Sequence, residues 1–152
     1  MTTPCYVFDI DGTIADGDHR LHHIVREAGD ARPKNWRAFF SAVSDDKPIP
    51  HMVAVCRALI EAGHFVVFVT GRSDECRAAT EAWLARHVIG EQALYMRRAG
   101  DHRDDDVLKI EILAEMRRAG WSPVMVFEDR ARVVKAWRAA GVPFAQVAEG
   151  DF

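Results

Sequence analysis

Apolar residues fall along this chain in two alternating patterns: short unbroken runs, and stripes spaced three or four positions apart. The runs Cys5-Tyr6-Val7-Phe8, Phe65-Val66-Val67-Phe68-Val69, Ala93-Leu94-Tyr95-Met96, Val124-Met125-Val126-Phe127 and Phe144-Ala145-Gln146-Val147 predict five strands. A run such as 65–69 is apolar throughout instead of alternating, as a strand covered on both faces must be. Four stripes predict helices between them: Met52/Val55/Cys56/Leu59/Ile60 closed by Gly63, Cys76/Ala79/Trp83/Leu84 opened by Ser73, Leu108/Ile112/Met116 ended by Gly120, and Val133/Val134/Trp137 ended by Gly141. Strands alternating with helices predict an α/β fold, a Rossmann-like open parallel β-sheet of about five strands with helices on both faces.

The alternation breaks between Ile14 and Pro50, where no strand is expected. Two short helical patterns, Leu21/Ile24/Val25/Ala28 and Trp36/Phe39/Phe40/Val43, occupy the gap, and residues 45–50 return the chain to the main fold. This segment, approximately 14–50, reads as a small helical cap inserted after the first strand of one domain, residues 1–152.

With 49% hydrophobic and 28% charged residues, the chain is a globular protein and not a disordered one. Its longest apolar run is far too short to span a bilayer, and Met1-Thr2-Thr3-Pro4 leads directly into a strand, so no membrane association and a cytoplasmic location are expected. Cys5, Cys56 and Cys76 are odd in number and lack CxxC spacing, which predicts buried free thiols. A net charge of −3 argues against gripping a long stretch of nucleic acid, but not against recognising one phosphate at a strand end.

In an open parallel sheet, ligands meet the carboxyl ends of the strands. The first predicted strand ends in Asp9-Ile10-Asp11-Gly12-Thr13, the second in Thr70-Gly71-Arg72 and the fourth in Glu128-Asp129, while Lys109 lies in the helix near the third crossover. Such a set suits phosphoryl transfer. Asp9 is placed to attack phosphorus, and Asp11 to protonate the leaving oxygen and then activate water. Magnesium (Mg2+) prefers a few hard oxygen ligands, for which Asp9, Asp129 and the backbone carbonyl of Asp11 are the natural set. Thr70 and the Gly71 N–H can donate to phosphoryl oxygens, and Lys109 supplies positive charge. Glu128 reads as an outer anchor for a metal-bound water. His19, His22 and His23 read as a solvated face without a carboxylate partner, and the four tryptophans as core residues instead of base-stacking platforms.

The ordered set resembles the haloacid dehalogenase superfamily: DxDGT, a Thr or Ser ending the second strand, a Lys, then an acidic pair, across essentially the whole chain. Further residues sharpen the resemblance. Arg20 follows Asp9 by eleven positions, residues 100–109 carry a G-D-x-R-x-D-D-x-x-K pattern, and the chain closes on Gln146-Val147-Ala148-Glu149-Gly150-Asp151-Phe152. These are similar to the 3′-phosphatase half of bacteriophage-type polynucleotide kinase/phosphatase.

That resemblance implies a phosphatase with Asp9 as nucleophile, Asp11 as acid–base residue and Asp129 as metal ligand. It further implies that Arg20 and Arg72 orient the phosphate or the strand end, so that their loss impairs turnover far more than stability. Asp105 becomes an essential loop carboxylate ordering the basic residues around it. Thr70 stands where Ser is common, and Glu128 where Asp is. The implied substrate is a 3′-phosphorylated DNA or RNA end. None of the ten glycines is followed by Lys, so no kinase P-loop is expected here and any kinase or ligase would be a separate partner. A phosphatase of nucleotides or other small esters, and a non-catalytic end-binding adaptor, remain as alternatives.

Overall fold

The computed structural model describes residues 1–150; the final Asp151-Phe152 of the C-terminal motif lies outside them. Five parallel strands form the sheet: β1 (Thr3–Phe8), β4 (Phe65–Ser73), β5 (Ala93–Arg97), β6 (Trp121–Glu128) and β7 (Phe144–Gln146), in the order β5-β4-β1-β6-β7. All five predicted runs are in it. Two further strands of two residues each, β2 (Ala15–Asp16) and β3 (Lys47–Pro48), pair antiparallel at the two ends of the inserted segment. They correct the expectation that no strand lies between Ile14 and Pro50. A pairing two residues long leaves no periodicity for a sequence reading to detect.

Alternation along β1 builds both cores at once. Cys5 and Val7 point to one face, where Val67, Val69 and Val126 meet Leu108, Ile112, Met116, Val133 and Trp137. These side chains come from α4 (Asp105–Arg118) and α5 (Ala131–Ala139). Tyr6 and Phe8 point to the other face with Val66 and Phe68, against Met52, Val53, Cys56, Trp83 and Leu84 from α2 (Pro50–Glu61) and α3 (Arg77–His87). Both faces of the central strands are therefore apolar, which is why their sequence is an unbroken run. All three cysteines are buried free thiols. No helix among the described residues is long and apolar enough to cross a membrane.

The chain passes from β1 outward to β4 and β5, then crosses to the opposite side for β6 and β7. That reversal falls between β1 and its neighbours, and sheets of this kind bind ligands at the carboxyl ends of the strands flanking such a reversal. β4 extends beyond the predicted run, and an irregularity in its pairing with β5 between Thr70 and Ser73 carries Gly71 and Arg72 toward the same edge.

The inserted segment differs from its reading in detail. Residues 21–28 do not form the expected α-helix; a short 3-10 helix spans Asp18–His23 and the chain then unwinds. The Arg26 guanidinium donates to the carbonyls of His22, His23, Val25, Arg32 and Pro33, holding an irregular loop in place of helical hydrogen bonds. The second pattern does form α1 (Trp36–Ser41), capped by the Asn35 side chain, and a 3-10 turn, Val43–Asp45, follows it. Trp83 and Trp137 are buried core residues and Trp121, at the start of β6, packs partly buried against that core, but Trp36 is 48% exposed, so the tryptophans are not uniformly core.

Candidate active site

Two clusters of charge, buried except for the partly exposed Asp11, meet at the strand ends. The first surrounds Asp9, just beyond β1. Lys109 Nζ donates to Asp9 Oδ1 at 2.8 Å and to Glu128 Oε2 at 2.7 Å, and the Thr13 hydroxyl donates to Asp9 Oδ2 at 3.2 Å. Asp9, Glu128 and Asp129 bring carboxylate oxygens within 4.8 Å of one another, all three residues buried. Burial raises the Asp9 pKa well above the usual carboxylate range, with repulsion from Glu128 adding to it and Lys109 opposing it. Burial and Glu128 likewise push Asp129 up to about 6. In the opposite sense, Asp9 and Glu128 overcome burial and hold Lys109 firmly protonated.

Three carboxylates against one ammonium leave excess negative charge in a buried pocket of hard oxygen donors, a set that fits a divalent cation. Glu128 has little left to offer such an ion. Its Oε2 is taken by Lys109, and its Oε1 accepts from the backbone N–H groups of Asp129 and Arg130. Asp9 and Asp129 retain freer oxygens. Gly12 helps admit Asp129: its φ of +75° and its missing Cβ, which would fall on the Asp129 carboxylate, make it a position for glycine alone.

The second cluster surrounds Asp11. Arg72 donates from Nη2 to Asp11 Oδ1 at 2.8 Å, and Arg20 from Nη2 to the same oxygen at 2.6 Å. Both guanidiniums also grip Asp46: Arg20 Nε at 2.8 Å, Arg72 Nη2 at 2.7 Å. Burial alone would raise the Asp11 pKa, but the two arginines outweigh it and hold the carboxyl below its ordinary range. Arg20 and Arg72 are each 1% exposed. They are thus structural as well as positioned near the site, and removing either strands buried carboxylate charge. Against the expectation that their loss impairs turnover far more than stability, this burial predicts a substantial cost in stability as well. Arg20 Nη1 has no hydrogen-bond partner among the described residues.

Asp46 is the residue that sequence reasoning missed. It also accepts from His19 Nε2 at 2.8 Å, and its backbone carbonyl accepts from the Trp83 indole at 2.8 Å. His19 therefore does have a carboxylate partner, supplied from 27 positions away. The only signal was an aspartate at the point where the inserted segment rejoins the sheet.

A third set lies beside these. Asp105 is the first residue of α4, not a loop residue, and it accepts from Arg97 Nη2 at 2.5 Å and Arg130 Nη1 at 2.6 Å. A Cβ on Gly71 would lie 2.5 Å from Asp105 Oδ1, so the strand end and the helix start pack backbone against carboxylate. Arg97 also donates to the Gly71 carbonyl at 2.9 Å. Lys109 follows Asp105 by one helical turn, so α4 presents both to the site. Thr70 is buried, and its hydroxyl accepts from the Arg72 N–H at 3.2 Å. Arg97, Arg130 and Thr13 were visible in the motifs, but their roles depend on partners distant in sequence.

A parallel α/β sheet whose central strand ends on paired aspartates, with a buried lysine and an acidic pair from neighbouring elements, defines a phosphatase of the haloacid dehalogenase type. Residues 3–152 match the family described as the polynucleotide kinase PNKP phosphatase domain, and the chain belongs to that family. It is 26% identical over 137 residues to a protein of Autographa californica nuclear polyhedrosis virus described as a bifunctional polynucleotide kinase/RNA ligase, covering 89% of this chain and 18% of that protein. Among solved structures, a Pnkp1/Rnl/Hen1 complex contains a chain that aligns with a TM-score of 0.80 and 26% identity, over 99% of this chain and 47% of that one. A class C acid phosphatase from Bacillus anthracis shares the fold at a TM-score of 0.64 and 12% identity, over 97% of this chain and 69% of that one. The chain thus spans under half the length of the viral relative and of the matched chain in the Pnkp1/Rnl/Hen1 complex.

Proposed function

We propose that this polynucleotide phosphatase domain removes 3′-phosphates from DNA or RNA ends through an aspartyl-phosphate on Asp9. The observation that carries the reading is the position of Asp9, held between Lys109 and Thr13, with Asp129 alongside and Asp11 in the adjoining cluster. An Asp9 carboxylate oxygen attacks phosphorus and the ester P–O bond breaks. The leaving 3′-oxygen takes a proton from Asp11 and departs as a hydroxyl. Asp11 then removes a proton from water, whose oxygen attacks the same phosphorus. The bond to Asp9 breaks, releasing inorganic phosphate and restoring the carboxylate.

The arginines give Asp11 its two states. Arg72 and Arg20 hold it ionised at rest, ready for the base half of the cycle. An incoming phosphate competes for the same guanidiniums, with the spare Arg20 Nη1 among the donors, and relaxes their hold so that Asp11 takes up a proton for the acid half. Thr70 and the Gly71 N–H bind phosphoryl oxygens, and Asp105 keeps Arg97 and Arg130 in place beside them. Asp9, Asp129 and the Asp11 carbonyl would hold a magnesium ion, with Glu128 as an outer anchor, and the ion would supply charge neutralisation at the phosphoryl group. Three buried free thiols accord with action in the reducing cytoplasm. A kinase or ligase acting on the same ends, functions named in a relative, is the partner that this reading suggests.

A phosphate-release panel tests this reading, using 3′- and 5′-phosphorylated DNA and RNA oligomers, free nucleotides and an aryl phosphate. Release is expected from 3′-phosphorylated oligomers first, lost on exhaustive chelation and restored by Mg2+. A clear preference for free 5′-nucleotides would make the enzyme a small-ester phosphatase. No release from any substrate would leave a non-catalytic end-binding role. Full activity in chelator would remove the metal from the account.

A further inference from the structure

The core explains Trp83 and Trp137, but nothing in the core explains Trp36. It stands on α1 at 48% exposure, above two partly buried rings, with Phe39 edge-on at 5.7 Å between centroids and Phe40 stacked at 5.9 Å. A single exposed aromatic is ordinary on a protein surface. Its surroundings make this one different. Lys34 Nζ lies 5.8 Å from the indole centroid, and Lys34 and Arg37 are both exposed, with no carboxylate partner among the described residues. The Phe39 ring, in turn, carries the Arg20 guanidinium 4.2 Å over its centroid, and Arg20 donates to Asp11 at 2.6 Å. An exposed indole, a supporting phenyl ring and a buried guanidinium thus form one continuous series of contacts ending on the Asp11 carboxylate.

We propose that Trp36 is a stacking platform for a base near the 3′ end of a single-stranded substrate, with Lys34 and Arg37 beside its phosphates. This rests on the polynucleotide 3′-phosphatase reading. Stacking on an indole is tolerant of sequence because every base has a π face, and it needs few cations, which suits a chain of net charge −3. The arrangement also couples the platform to the chemistry. A base that settles on Trp36 bears on Phe39, and so on the guanidinium that orients Asp11. The occupant is a single strand because an isolated exposed ring needs an unstacked base to meet it.

The experiment is a cycle of two enzymes and two substrates. The parent protein and Trp36→Ala act on a 3′-phosphorylated oligomer carrying ordinary bases, and on one whose last three nucleotides are abasic. On the base-bearing oligomer Trp36→Ala is expected to raise KM roughly tenfold, as loss of one stacked base does, with Trp36→Phe recovering most of it. On the abasic oligomer the parent and Trp36→Ala are expected to converge. Abasic nucleotides should raise the KM of the parent enzyme by the same roughly tenfold, a comparison that needs no variant to fold. Equal loss by Trp36→Ala on both substrates would make Trp36 a structural residue and overturn the platform. So would unchanged KM on the base-bearing oligomer. A parent enzyme inert toward the 3′-phosphorylated oligomer but active on an aryl phosphate would overturn the substrate reading instead, and the platform with it.

Discussion

Asp9→Asn is expected to reduce phosphate release to background, a loss of at least roughly 10⁴-fold, while leaving the metal-free protein as stable as the parent or more so. The loss of turnover follows from chemistry, since an amide neither attacks phosphorus nor serves as an anionic ligand. The stability follows from the pocket. Asp9 is buried beside Glu128 and Asp129, and its raised pKa records that folding disfavours its ionised form. A carboxyl whose pKa rises on folding costs stability once the pH climbs above its unfolded pKa, and that cost grows until the pH passes its folded pKa. An amide of the same shape removes the charge, and Lys109 keeps Glu128 as its partner. Thermal unfolding in chelator, beside phosphate release from a 3′-phosphorylated oligomer, reads both effects. A folded Asp9→Asn protein with near-parental turnover would remove Asp9 from its role, and a collapse in stability would contradict the electrostatic account of the pocket.

Arg72→Ala is expected to fail on both counts. Arg72 is one of two cations holding Asp11 and Asp46, and Asp46 is fully buried with its other polar contacts to Arg20 and His19. Removing a partner from a buried pair costs about 3–5 kcal/mol because the remaining charge is stranded. Arg20 still reaches both carboxylates, which places the loss near the lower end, about 3 kcal/mol. Turnover should fall by about 10²-fold or more, the scale for losing one charged donor at the phosphoryl site. Arg72→Lys should rescue little, since one ammonium cannot reproduce a fork that serves Asp11, Asp46 and Thr80 together. Urea unfolding and kcat for the oligomer provide the check. Parental stability with lost turnover would make Arg72 a substrate-binding residue alone, and parental turnover would make it a structural one.

The sheet was legible in the sequence because its strands are covered on both faces, so each became an unbroken apolar run. The four long helices were legible through their stripes. The inserted segment was not, for three separate reasons. β2 and β3 are too short to carry a period. The apolar positions at 21, 24, 25 and 28 imitate a helix, while Arg26 satisfies the carbonyls of an irregular loop. Asp46 looks like any surface aspartate until Arg20 and Arg72 close on it from distant elements. At the site, the residues themselves were readable from order and spacing, but their pairings were not. Glu128 anchored to Lys109, Asp105 at a helix start between two arginines, and arginines buried instead of presented to solvent are all products of tertiary contact.

If phosphate passes from a 3′ end onto Asp9, as proposed, the protein carries it covalently within a single turnover. An oligomer carrying a radiolabelled 3′-phosphate is mixed with the protein, quenched in acid within a single turnover, and the chain digested and mapped. Label on the peptide containing Asp9, absent from Asp9→Asn and absent when the label is on a 5′-phosphate, is the predicted result. Release of labelled phosphate at the same rate with no label ever carried by that peptide would contradict it.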